Sequence, residues 1–178
     1  METFFNPLSV AIVGATEKPG SLPGIILKNL LSMGFKGKMY PVNPKYETVF
    51  GLNCFPSILD IPDEVALTVI AIPAPWVLDV LQQQAHKRIR HAIIISAGFR
   101  EKGAEGIEME QRIRRVAIEN DMRILGPNCL GVLDNYTNFT TSFLSWERVS
   151  IPKKGSLSIL SQSGAFAIAL LDLAAQEG

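Results

Sequence analysis

The stretch Val10-Ala11-Ile12-Val13-Gly14-Ala15-Thr16-Glu17-Lys18-Pro19-Gly20-Ser21 constrains this chain more than any other. Val10 to Val13 reads as a buried strand, Gly14 as a tight turn, and Gly20-Ser21 as the capped entry to a helix. A strand running into a helix N-terminus leaves several backbone N–H groups unpaired and pointing one way. The aligned peptide dipoles add partial positive charge there, so such a turn suits an anion, above all phosphate. The full G-x-G-x-x-G spacing is absent. The stretch therefore reads either as a phosphate site or as a structural turn between strand and helix.

The same grammar repeats along the chain. Ile25, Ile26, Leu27, Leu30, Leu31 and Met33 recur at helical spacing after Ser21, Pro23 falls in the first turn, and Gly34 ends the run. Lys38 to Val42 reads as a second strand with Asn43-Pro44-Lys45 as its exit turn. Leu67 to Ile72 is a third, apolar almost throughout, as expected of a sheet covered on both faces. Pro73 and Pro75 stop it and start a helix with Val77, Val80 and Leu81 inward. Ala92 to Ser96 is a fourth strand, and a helix over 104–119 turns Met109, Ile113, Val116 and Ala117 inward. Arg123 to Gly126 begins a fifth. Strands alternating with helices predict an α/β fold, a Rossmann-like parallel sheet ending near Leu133. Residues 134–154 have little periodicity and read as a linker. Ser156 to Leu160 then reads as a strand, 161–164 as a turn and 165–175 as a helix. This last unit is either a sixth strand of the first sheet or the start of a new domain, and Ser163-Gly164 at its helix N-terminus could hold an anion.

Composition narrows the classes of function. Seventeen Lys and Arg balance 17 Asp and Glu in 178 residues, so no basic excess argues for nucleic acid. No apolar run approaches the roughly 18 residues that span a bilayer. No basic-then-apolar leader with a small-residue cleavage site opens the chain, which predicts a cytoplasmic protein. Cys54 and Cys129 lie far apart with no C-x-x-C, favouring reduced thiols over a disulfide or zinc site. Asn135-Tyr136-Thr137 and Asn138-Phe139-Thr140 match the glycosylation pattern and, without a leader, are read as chance.

In an open α/β sheet, ligands bind outside the carboxyl ends of the strands. Here those ends are Gly14 to Ser21, Asn43 to Lys45, Ile72 to Pro75, Ser96 to Phe99 and Gly126 to Cys129. An NAD enzyme wants an acid after the second strand for the ribose hydroxyls. Lys45 instead suits a ribose phosphate, which NADP and coenzyme A both carry, or is a plain exposed lysine. Ile72-Pro73-Ala74-Pro75 offers an apolar wall for an adenine or an aliphatic arm, although a strand stop and a helix-start proline explain it equally. Asn128 and Cys129 are a polar pair beside a reactive group, or a turn asparagine and a small buried cysteine. His86 and His91 flank Lys87-Arg88-Ile89-Arg90 at the opposite edge and read as a solvated face. Glu101, Glu105 and Glu108 read as exposed helix-start acids, and no triad, metal spacing or catalytic base emerges.

The opening Phe4-Phe5-Asn6-Pro7-Leu8-Ser9-Val10-Ala11-Ile12-Val13-Gly14-Ala15-Thr16 resembles that of the NDP-forming acyl-CoA synthetases. These include ADP-forming acetyl-CoA synthetase and the succinyl-CoA synthetase α subunit. Tyr40 to Lys45, Ser96 to Phe99, Gly126 to Gly131 and Ser161-Gln162-Ser163-Gly164-Ala165 follow in the family's order. The resemblance spans nearly the whole chain. It implies a domain that binds coenzyme A or acyl-CoA, with no catalytic residue in this stretch. Gly14, Thr16, Pro19, Gly20 and Ser21 would hold phosphates, and Val42, Pro44 and Lys45 the ribose-phosphate end. Ile72, Pro73 and Ala74 would border the nucleotide or pantetheine, with Ser96 and Gly98 beside them, and Asn128 and Cys129 would approach the thiol. Glu17-Lys18-Pro19 departs from the family's loop.

The resemblance also assigns Ser161, Ser163 and Gly164 to the start of a second, flavodoxin-like domain over 155–178, where the helix N-terminus helps cradle a phosphohistidine. That histidine belongs to a later segment, and neither His86 nor His91 matches it. The implied reaction interconverts acyl-CoA, ADP and phosphate with a short-chain or other organic acid, CoA and ATP. It passes through acyl phosphate and phosphohistidine in an acid–thiol ligase. Its ADP or ATP, with Mg, would sit on an ATP-grasp domain or subunit outside this stretch, in an oligomer, and this chain alone would bind CoA and turn over nothing. Three alternatives stand beside it: the CoA-binding regulatory module of a bacterial lysine acetyltransferase, a stand-alone CoA-binding module, and an NADP-dependent oxidoreductase.

Overall fold

A computed structural model of the chain describes residues 1–146 and 149–177. Expectations that reach Glu147, Arg148 or Gly178, within the linker and at the end of the second unit, lie outside the described residues. The sheet strands are β1 (Ser9–Val13), β2 (Lys38–Val42), β3 (Leu67–Ile70), β4 (His91–Ile94) and β5 (Arg123–Leu125). The helices are α1 (Leu22–Met33), α2 (Val77–His86), α3 (Ala104–Glu119) and α4 (Gly164–Glu177). The sheet runs β2-β1-β3-β4-β5, parallel throughout, with Ala11 opposite both Tyr40 and Thr68. Beyond β2, Phe55 makes an isolated parallel bridge to Val42, a one-residue remnant of an outer strand. The Rossmann-like α/β fold read from the alternation is the fold observed.

Period-two alternation sorts β1 between two cores. Ala11 and Val13 pack with Ile70, Ile94, Val77, Leu81 and Ile113 beneath α2 and α3. Val10 and Ile12 pack with Ile26, Leu27, Leu30, Val69 and Ile93 beneath α1. Ile12, Ile70 and Ile93 are fully buried; each contributes about 1.5–3 kcal/mol by leaving water. Local chemistry sets the helix ends. The Ser21 side chain accepts from the Gly24 N–H at 3.3 Å, and Gly34 closes α1 in the left-handed region. Two strands end sooner than their apolar runs. β3 stops at Ile70 because the Ile72 N–H leaves the ladder for the Ser96 side chain, and β4 stops at Ile94.

Two readings are corrected. Residues 134–144, expected within a linker, carry a short hairpin of Leu133–Asp134 with Phe139–Thr140 and pack on α1. Phe139 is fully buried against Phe35, ring centroids 5.1 Å apart. Asn29, buried within α1, donates its side-chain N–H groups to the Ser142 and Leu144 carbonyls at 3.0 and 2.8 Å. Aperiodic sequence hid this because buried side-chain hydrogen bonds and one aromatic plug hold it, rather than a repeating apolar face. Second, Ser156 to Leu160 forms no strand, while the helix after it does form. An apolar alternation needs a neighbouring strand to take its backbone hydrogen bonds. Here Leu157 and Leu160 are exposed and α4 has no buried residue among those described.

Candidate functional site

The strand ends converge through main-chain contacts that only certain residues permit. Gly14 has φ +96°, and its N–H donates to the Val42 carbonyl at 2.8 Å. A Cβ there would stand 2.7 Å from the Ala71 carbonyl oxygen and 2.8 Å from Ile72 Cγ2. The glycine thus lets the β1 exit pass against the β3 exit. The loop then folds back over the start of α1, where a Cβ on Gly24 would lie 2.4 Å from the Thr16 carbonyl oxygen. Pro19 and Gly20 project into solvent, and a Cβ on Gly20 would meet nothing within 4 Å. Thr16 and Ser21 are half-buried beside them.

Asn43 joins this loop to the next. Its side-chain N–H donates to the Ala15 carbonyl at 2.9 Å and its Oδ1 accepts from the Lys45 N–H at 3.0 Å. Pro44, Lys45 and Tyr46 are consequently held out at the mouth, exposed. The Val42 side chain lies in the core beneath them, so only its main chain faces the site. The Thr16 and Tyr46 hydroxyls meet at 3.2 Å, and the Phe50 N–H donates to the Glu17 carboxylate at 2.5 Å. The Glu17 carboxylate is thereby taken up by the neighbouring turn. Asn43 was read in sequence only as part of its strand's exit turn, with no role of its own, and Tyr46 was not among the candidate residues. The Asn-Pro turn was a signal for the first; a bond across 30 positions left none for the second.

Further along the edge, the buried Ser96 ties three strand exits together. Its hydroxyl accepts from the Ile72 N–H at 3.1 Å and donates to the Ile70 carbonyl at 3.4 Å, and its carbonyl accepts from the Asn128 N–H at 3.0 Å. Gly98 passes close to Ala74, at 3.1 Å from its Cβ if Gly98 carried one itself. The Gly98 N–H donates to the Glu101 carboxylate, which that bond holds below the usual range for an acid. Pro73 is exposed and Ile72 half-buried, leaving an apolar lip. Asn128 takes a left-handed φ of +56°, and Cys129 donates its thiol to the Ile94 carbonyl at 3.5 Å. Burial pushes that thiol up, so it is protonated near neutral pH.

Gly164 stands beside this end, preceded by Ser161 and Ser163. The Ser163 hydroxyl accepts from the Phe166 N–H at 3.3 Å, capping α4, and Ser161 accepts from the Ser163 N–H at 3.1 Å. A Cβ on Gly164 would lie 3.2 Å from Leu130, next to Cys129. The histidines lie elsewhere: His86 closes α2, and His91 opens β4 against Phe4 at the sheet's other edge. Burial, with the chain's amino terminus and Arg123 nearby, holds His91 below its ordinary value. Among the described residues no group of three or more His, Cys, Asp or Glu could hold a metal ion, and no helix is long and apolar enough to cross a membrane. Two open surface hollows lie away from the strand ends, one along α3 at Arg114, Arg115 and Ile118, and one beside Lys38 and Glu64.

Comparison with known proteins gives this edge a family. The chain is 43% identical over 174 residues to the acetate–CoA ligase (ADP-forming) II of Archaeoglobus fulgidus, covering 97% of this chain and 25% of that protein. It is 41% identical over 175 residues to the acetate–CoA ligase (ADP-forming) I subunit alpha of Pyrococcus furiosus, covering 96% of this chain and 37% of that subunit. Among solved structures, the dinucleotide-forming acetyl-coenzyme A synthetase 1 of Ca. Korarchaeum cryptofilum, in complex with phosphate and ADP, superposes with a TM-score of 0.88 at 38% identity. That match covers 99% of this chain and 37% of that one. The chain thus spans between a quarter and two-fifths of the length of these relatives. A family model described as a CoA binding domain matches residues 8–135, which hold all five sheet strands and the exits of each. With most of its length inside that match, the chain belongs to the CoA-binding domain family.

Proposed function

We propose that the edge from Lys45 to Cys129 binds coenzyme A on behalf of an ADP-forming acid–CoA ligase, the protein interconverting acyl-CoA, ADP and phosphate with acid, CoA and ATP. The observation that carries this reading is the continuity of the edge. Contacts at Gly14, Asn43 and Ser96 join the exits of β2, β1, β3, β4 and β5 into one surface. With neighbouring strands about 4.8 Å apart, the edge runs for roughly 19 Å, an elongated surface that suits a ligand laid across several strand exits. Lys45 stands at one end for the ribose phosphate, the loop from Thr16 to Ser21 takes the diphosphate, Ile72 to Ala74 flank the arm, and Asn128 with Cys129 receive the thiol. Cys129, protonated and bonded to a carbonyl, lines the thiol end without competing as a nucleophile. Gly164 lies next to Leu130, which suits a second anion site at Ser161, Ser163 and Gly164 near the thiol end.

The packing supports a reading of the domain limits. The first unit runs to about residue 144, since Phe139 and Ser142 belong to its core, and residues from 155 begin a second unit. The exposed apolar side chains of Leu157, Leu160, Phe166 and Leu173 await cover from a further domain or subunit of the ligase, an ATP-grasp part among them. The test is Lys45→Ala with two ligands. Loss of one exposed charge-assisted contact should weaken CoA by about 1–3 kcal/mol, while dephospho-CoA binding stays nearly unchanged. Equal losses for both ligands would remove Lys45 from the ribose-phosphate role.

A further inference from the structure

Tyr46 is placed as no simple surface tyrosine would be. It follows the lysine of the β2 exit, is 43% exposed, and reaches across the mouth so that its Oη meets Thr16 Oγ1 in the glycine loop. Both ends of that reach are anchored. The Tyr46 N–H donates to the Asn43 carbonyl at 3.4 Å, and Asn43 itself is pinned to Ala15. Thr16 Oγ1 also accepts the Lys18 N–H at 3.2 Å. Two hydroxyls that share one hydrogen bond spend one proton between them and keep the other. Among the described residues that second proton has no recorded acceptor. The pair therefore presents a donor at the glycine loop that leads into α1.

We infer that Tyr46 is a ligand contact: its hydroxyl donates to the diphosphate of the bound nucleotide while its exposed ring covers the adjoining ribose. This rests on the CoA reading above and adds a residue to it. The hydroxyl is delivered to Thr16 and not back to Lys45, so it serves the diphosphate that CoA and dephospho-CoA share, rather than the 3′-phosphate that only CoA carries. Tyr46 and Lys45, adjacent in sequence, thus read different parts of one ligand.

The test is Tyr46→Phe, which keeps the ring and removes the hydroxyl. Calorimetric titration of the chain should show CoA and dephospho-CoA weakened by the same factor, roughly tenfold for one charge-assisted bond. The thermal midpoint of the free variant should stay within about 2 °C of the parent, a shift worth less than about 1 kcal/mol. Phosphorus NMR of bound CoA should show the diphosphate signals displaced and the 3′-phosphate signal in place. Unchanged affinities, a loss confined to CoA, or a fall in stability that accounts for the weakening would each overturn the assignment. Failure of the parent chain to bind either nucleotide would instead overturn the CoA reading beneath it.

Discussion

Replacing Gly14 by alanine measures how tightly the strand exits are built. The backbone at Gly14 has φ +96°, and an L residue held there costs about 1–2 kcal/mol. The new Cβ would also stand 2.7 Å from the Ala71 carbonyl oxygen. That peptide cannot easily retreat: the Ala71 N–H donates to the Val13 carbonyl at 3.1 Å, and the next N–H to Ser96 at 3.1 Å. Overpacking against fixed backbone adds about 1–3 kcal/mol, so the expected loss is about 3 kcal/mol, or a midpoint lower by roughly 6–12 °C for a domain of this size. Gly20→Ala is the control. Its φ is +75° but nothing lies within 4 Å of the new atom, so only the backbone cost of about 1 kcal/mol applies. Urea and thermal unfolding followed by circular dichroism read both. Equal losses at the two sites, or a Gly14→Ala midpoint within about 2 °C of the parent, would refute the close approach.

Asn29→Ala should free residues 142–144 from α1 by leaving two carbonyls without donors, at a cost of about 2–3 kcal/mol. Limited proteolysis should then cut first near Ser142, and uniform cutting would contradict the packing. Asp63 accepts from the Tyr40 hydroxyl at 2.6 Å and from Lys38 at 2.9 Å, bonds that hold its carboxyl below the ordinary value. Its stabilisation is complete above the unfolded carboxylate value of about 4 and fades as pH falls through the lower folded one. The stability gap between the parent chain and Asp63→Asn should therefore be open at neutral pH and shrink below about pH 4; a gap that widened on acidification would reverse the sign. Both unfolding series use the same denaturant titration at stepped pH.

Much of the frame was legible because local chemistry and period agreed. Ser21 and Gly34 mark the ends of α1 by capping alone, and the apolar spacing from Met109 to Val116 marks the body of α3. The strand-end logic named Ser96 and Asn128, which do meet at 3.0 Å. What escaped depends on distant partners. Tyr46 gains meaning only from Thr16, and Phe139 only from Phe35 and α1. Ser156 to Leu160 shows the converse, since alternation specifies a strand and cannot supply its neighbour. Glu17 is a further case, since its carboxylate accepts from the Phe50 N–H, 33 positions away.

Calorimetric titration of the unmodified chain with CoA, dephospho-CoA and NADPH in parallel tests the central claim most directly. CoA should bind, dephospho-CoA should bind more weakly by the 3′-phosphate contact at Lys45, and NADPH should compete poorly because its nicotinamide has no counterpart at the Asn128–Cys129 end. NADPH binding without CoA binding would contradict the account and return this edge to a redox role.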